Sequence, residues 1–65
     1  MNKWTKRGPY WETIERGKRV IIGTQRWLGI VWYKWGVDGR TNVCRTLDEA
    51  KAEALNEARR MEHGE

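Results

Sequence analysis

Arg26-Trp27-Leu28-Gly29-Ile30-Val31-Trp32-Tyr33-Lys34-Trp35-Gly36-Val37-Asp38-Gly39-Arg40 is the stretch on which the fold turns. From Trp27 to Trp35 both alternating sets of positions are apolar: Trp27, Val31, Tyr33 and Trp35 in one, Leu28, Ile30 and Trp32 in the other. That pattern predicts one central strand, apolar on both faces. This small chain covers one face, and the other is expected to meet a partner. Asp38-Gly39 supplies the two left-handed positions of a tight hairpin turn, after which Arg40–Arg45 runs back as a further strand carrying Thr41 and Val43.

Upstream, Tyr10–Arg16 and Arg19–Thr24 are rich in β-branched and aromatic residues and are separated by Gly17-Lys18, which reads as a first hairpin. Gly23 marks a strand end or a bulge. Residues 1–9, with Lys3, Lys6, Arg7, Gly8 and Pro9 around a lone Trp4, read as a mobile basic arm. Downstream, Thr46-Leu47-Asp48-Glu49 fits a capping box, and Leu47, Ala50, Ala54, Ala58 and Met61 recur at helical steps. An alanine stripe lets a helix lie close on a sheet, so the strands supply the bulk, and Gly29 is expected where the helix comes nearest. The expected architecture is α+β: an antiparallel meander of three to four strands on one C-terminal helix, with residues 10–62 as the single domain and 63–65 a frayed tail.

Composition narrows the function. At 65 residues the chain is one small domain whose core is marginal, and there is no room for a deep catalytic cleft. Cys44 is the only cysteine and His63 the only histidine, on different elements, so neither an internal disulfide, a Cys–His nucleophile pair nor a four-ligand zinc site is expected. Asp48, Glu49, Glu53 and Glu57 are spaced as a solvated, capping helix face and not as a metal or acid/base group. Gly36-Val37-Asp38-Gly39 is a turn and not a phosphate cradle. No enzyme activity, cofactor or metal is therefore expected. No run reaches the roughly 20 apolar residues of a membrane span, and the basic N-terminus lacks the apolar segment of a signal peptide, so a cytoplasmic protein is expected.

Charge is unevenly placed. The net charge of +4 divides into +5 up to Arg26, +2 from Trp27 to Arg45 and −3 from Thr46 onward. A polyanion would meet the sheet side. Aromatics interleaved with cations make the same point, since such surfaces stack bases or dock on phosphates. At least three of the five tryptophans are expected to fill the core, leaving one or two for contact. The expected contact residues are Lys3, Lys6 and Arg7 of the arm with Arg26, Tyr33, Lys34, Trp35 and Arg40 of the sheet, Tyr33 and Trp35 lying on or at the rim of the uncovered face.

Arg26-Trp27-Leu28-Gly29-Ile30-Val31 resembles the central strand, and Thr46-Leu47-Asp48-Glu49-Ala50-Lys51-Ala52-Glu53-Ala54 the helix start, of the small DNA-binding domains built from a three-stranded sheet and a helix. These are the plant APETALA-type domain and the arm-binding domains of phage-type tyrosine integrases. The resemblance implies a sheet that enters the major groove, with reading roles for Arg26, Lys34 and Arg40. Two functions follow as expectations. One is a DNA-binding module. The other is a protein-binding module, such as a phage or prophage accessory protein that grips a host protein, or a homodimer, using the same aromatic face.

Overall fold

The computed structural model describes residues 2–64, with side chains through residue 60. In chain order these form β1 (Thr5–Arg7), β2 (Tyr10–Glu15), β3 (Lys18–Trp27), β4 (Ile30–Val37), β5 (Arg40–Cys44) and α1 (Leu47–Gly64). The strands make one antiparallel sheet in sequential order, so the α+β meander is as expected, with five strands in place of three to four. The added strand comes from the segment expected as an arm. Gly8 takes a φ of 54° in the Gly8-Pro9 turn, and the chain folds back so that Thr5 pairs with Glu12 and Arg7 with Tyr10. Thr13, itself buried, donates its hydroxyl to the Lys3 carbonyl at 2.8 Å, which ties the start of the chain to the sheet.

The long central strand expected from Trp27 to Trp35 is instead a hairpin. Leu28 and Gly29 have φ of 54° and 76°, the same double left-handed turn found at Arg16-Gly17 and at Asp38-Gly39. A leucine in this conformation costs about 1–2 kcal/mol locally. Longer-range burial outweighs that cost. Turning at Leu28 puts Ile22 opposite Trp35 and Val20 opposite Val37, and all four side chains are buried, each contributing about 1.5–3 kcal/mol. Gly29 therefore serves the turn and not the approach of the helix, since a Cβ added there would meet nothing within 4 Å.

Because paired residues of antiparallel strands share a face, the register sorts the sheet into two sides. Trp11, Thr13, Val20, Ile22, Tyr33, Trp35, Val37 and Cys44 point to α1. Ala50, Ala54 and Ala58 of the helix are fully buried against them, so the alanine stripe seats α1 on the sheet as expected. Trp4, Trp11, Tyr33 and Leu47 close the margins of this core. Trp11 and Tyr33 meet at 6.1 Å between ring centroids, tilted by 52°. Thr46 accepts the Glu49 backbone N–H on its hydroxyl at 3.1 Å, the first half of the expected cap. Met61, expected on the stripe, and His63 lie outside the described side chains, and α1 runs through Gly64, beyond residue 62 where the domain was expected to end.

Tyr33 and Trp35 thus lie on the covered side of the sheet, contrary to expectation. Position 35 is odd in a strand whose odd positions face the helix, and the Trp35 indole N–H donates to Glu53 of α1 at 3.2 Å. Trp35→Ala is expected to cost about 3–5 kcal/mol, which nearly exhausts the stability of a domain this small. Trp27→Ala, at a side chain 66% exposed, is expected to change stability by no more than about 0.5 kcal/mol. Denaturant melts of the two variants check this, and equal losses would contradict the assignment of faces.

Candidate functional site

The face turned away from α1 carries Thr5 and Arg7 of β1, Tyr10, Glu12 and Ile14 of β2, and Arg19, Ile21, Gln25 and Trp27 of β3. Ile30, Trp32 and Lys34 of β4 and Thr41 and Val43 of β5 complete it. None of these side chains is buried. Among these strand residues Glu12 is the sole carboxylate, and Arg7, at 2.7 Å, and Arg19 both bind it. Toward the other end of the face, Trp27 and Trp32 stand with Lys34, and the Arg45 guanidinium lies 5.0 Å from the centre of the Trp32 ring. A shallow apolar depression lined by Gln25, Arg26, Trp27, Trp32 and Val43 lies between them. The Trp32 indole N–H is shielded from solvent and has no acceptor among the described residues.

Beyond this depression the sheet narrows. Pairing of β2 with β3 ends at Tyr10 opposite Gly23, and pairing of β5 with β4 ends at Cys44 opposite Tyr33. From Gln25 to Trp32 the sheet is two strands wide, joined by three residue pairs and closed by Leu28-Gly29. The sequence of this ribbon, Gln-Arg-Trp-Leu-Gly-Ile-Val-Trp, contains no acidic residue. Trp27, Leu28, Ile30 and Val31 are all exposed at its end, Leu28 at 79%.

The residues singled out from sequence separate into three groups. Lys34 lies on the uncovered face, whereas Arg26, opposite Val31, lies on the other face of the ribbon, the one continuous with the helix side; among the described residues neither has an ion-pair partner. Arg7 lies on the same face and is engaged by Glu12. Lys6 points to the helix side, 5.0 Å from the centre of the Trp11 ring, and donates to the Gly8 carbonyl at 2.7 Å. Lys3 precedes β1, its carbonyl engaged by Thr13. Arg40 is opposite Val37 on the helix side and binds Glu57 at 2.8 Å, so it braces α1 and does not lie on the uncovered face. Tyr33 and Trp35 belong to the core. Trp27 and Trp32 belong to the aromatics interleaved with cations in the sequence but not to the expected contact residues, and Gln25 and Arg45 belong to neither. The signal for them was the Leu28-Gly29 pair, since a turn there exchanges the faces of the odd and even positions relative to the preceding strand.

The remaining polar clusters are structural. The cleft between β5 and α1 is lined by Trp35, Arg40, Glu53, Glu57 and Arg60 among others, and its charges neutralise one another. Glu57, 6% exposed, is bound by Arg40 and by Arg60. Burial pushes the Cys44 thiol up to about 11, helped by the neighbouring Glu53 carboxylate, so it is not a thiolate at neutral pH. Among the described residues no group of His, Cys, Asp and Glu is placed to hold a metal ion, and no helix is long and apolar enough to cross a membrane. No protein-family profile, curated protein or solved structure matches the chain.

Three glutamates tie the structure to pH. Loss of solvent raises the Glu57 carboxyl, but hydrogen bonds from Arg60 and Arg40 outweigh it and hold the group below 4.5, the ordinary value. Glu12 is lowered by Arg19 first, and Glu15 by Arg59 with Asn2. Groups that ionise more readily when folded contribute stability that is whole above their unfolded value and lost as pH falls through their folded values. Denaturant midpoints are therefore expected to hold near neutral pH and fall below about pH 4.5. Glu57→Gln is expected to lower the neutral midpoint and to flatten the fall, and an unchanged profile in that variant would contradict the role of the pair.

Proposed function

We propose that the chain is a non-enzymatic nucleic-acid-binding module, with duplex DNA as its ligand, and that it binds through the uncovered face of the sheet and the ribbon that extends it. One observation carries this reading. Trp27 and Trp32 share that surface with Lys34 and Arg45, and Glu12, the one carboxylate among the described strand residues of that face, is held by Arg7 and Arg19 toward its other end. Flat rings among unneutralised cations suit a ligand that offers phosphates and aromatic bases together. The major groove, about 12 Å wide, admits a two-stranded β-ribbon. Sheet entry into the groove also agrees with the three-stranded DNA-binding domains that the sequence resembles, with Lys34 keeping the role that resemblance implies on the uncovered face, Arg26 acting from the other face of the ribbon and Arg40 losing its role.

A second reading has its own support. Trp27, Leu28, Ile30 and Val31 form an exposed apolar end, and such patches also mark protein-binding or self-associating surfaces. The two readings differ in their response to salt. Phosphate neutralisation makes affinity fall steeply with ionic strength, whereas apolar association does not.

The test is a binding titration with duplex DNA across a range of salt. Lys34→Glu combined with Arg45→Glu is expected to leave folding intact, weaken binding tenfold or more at low salt, and make the slope of log affinity against log salt shallower by about two. Binding without salt dependence, or a double variant that binds as the parent does, would favour the protein-interface reading.

A further inference from the structure

Three hairpins of this sheet turn through the same two-residue geometry, and the first central residue differs among them. It is Arg16 in one, Asp38 in another and Leu28 at the end of the ribbon. Asn and Asp suit this position, and a large apolar residue does not. Leu28 is 79% exposed, so it is not there to complete the core, and its backbone is in a conformation that leucine disfavours. The residue is wrong for the turn and wrong for water.

We infer that Leu28 is a wedge that enters the base stack of duplex DNA and bends it. The inference rests on the nucleic-acid reading above and adds to it what the ribbon does to its ligand. Proteins that bind the minor groove unstack and kink the duplex by inserting apolar side chains between base steps, and Leu28 would make the same insertion from the major-groove side. Three features of the ribbon fit this use. It is bare of a third strand and of the helix from Gln25 to Trp32, so its end reaches a recessed surface. Trp27 and Ile30 flank the turn as an opposed pair on one face, giving the wedge an apolar shoulder. Arg26 is set back from Leu28 by two residues, about 7 Å along the strand, close to the roughly 8.5 Å depth of the major groove. With Leu28 at the groove floor, Arg26 on one face of the ribbon is level with the phosphates of one rim, and Lys34 and Arg45 follow on the face turned to the other rim. A track of cations running back from an apolar end matches a grooved polyanion.

The experiment uses the full chain and a short duplex carrying a donor and an acceptor dye at its ends, with 2-aminopurine at internal positions. Binding of the parent protein is expected to bring the ends closer and to raise 2-aminopurine fluorescence. Leu28→Asn, which suits the turn better, is expected to melt no lower than the parent and to bind within severalfold with the same salt slope. Both the bend and the fluorescence rise are expected to be lost. A Leu28→Asn complex as bent as the parent's, or a parent that binds without bending, overturns the wedge and leaves the nucleic-acid reading standing. Absence of binding to any duplex at low salt overturns both. Flotation with phosphatidylserine vesicles, or sedimentation as a dimer, that is lost in Leu28→Asn while the parent does not bend DNA overturns the wedge in favour of a lipid surface or a second copy of the chain.

Discussion

A single helix covers a single side of a sheet, and the seating of α1 through Ala50, Ala54 and Ala58 is the contact on which this structure depends. Alanine brings the helix backbone close, so the space between the layers is filled almost wholly from the strands. Val20, Ile22, Trp35 and Val37 do the filling. Once they are claimed, every neighbour at odd spacing along the strands is committed to the other side, including Trp32 and Lys34. The division of the tryptophans follows from the same contact: Trp4, Trp11 and Trp35 join the core, and Trp27 and Trp32 do not.

Ion pairing reinforces the division. Glu57 and Glu53 of α1 reach toward β5 and β4, binding Arg40 and the Trp35 indole. Glu15 at the end of β2 accepts Arg59 from the helix at 2.7 Å and the Asn2 amide at 2.8 Å. These acidic groups thereby join the layers, and on the uncovered side Glu12 holds Arg7 and Arg19 while Lys34 and Arg45 are left beside the tryptophans. The excess of positive charge in the first two thirds of the sequence is divided between the sides of the sheet, Lys6, Arg26 and Arg40 lying on the helix side and Arg7, Arg19 and Lys34 on the other.

Much of this was legible in the sequence where local rules and burial agree. The cap at Thr46, the alanine stripe, the hairpin at Gly17 and the Asp38-Gly39 turn each carry a residue type that the local geometry demands. The ribbon was misread because Leu28 breaks its local rule: an apolar residue beside Gly29 extended an apolar run that looked like one strand. Reading Leu28-Gly29 as a turn would have aligned Ile22 with Trp35 and placed Trp35 in the core. Trp4 hinted that the basic arm packs on something, and it does, with β1 pairing to β2 through the Gly8-Pro9 turn. Arg40 was misassigned for a different reason. Its face is set by its place opposite Val37, which charge alone does not reveal.

Backbone amide shifts during titration of the isotopically labelled chain with duplex DNA test the proposed surface most directly. The account predicts that perturbations concentrate from Gln25 to Lys34 and from Val43 to Arg45, and that they fade as salt is added. Perturbations centred on α1 or on the cleft between Arg40 and Glu57, or none at any DNA concentration reached at low salt, would contradict it.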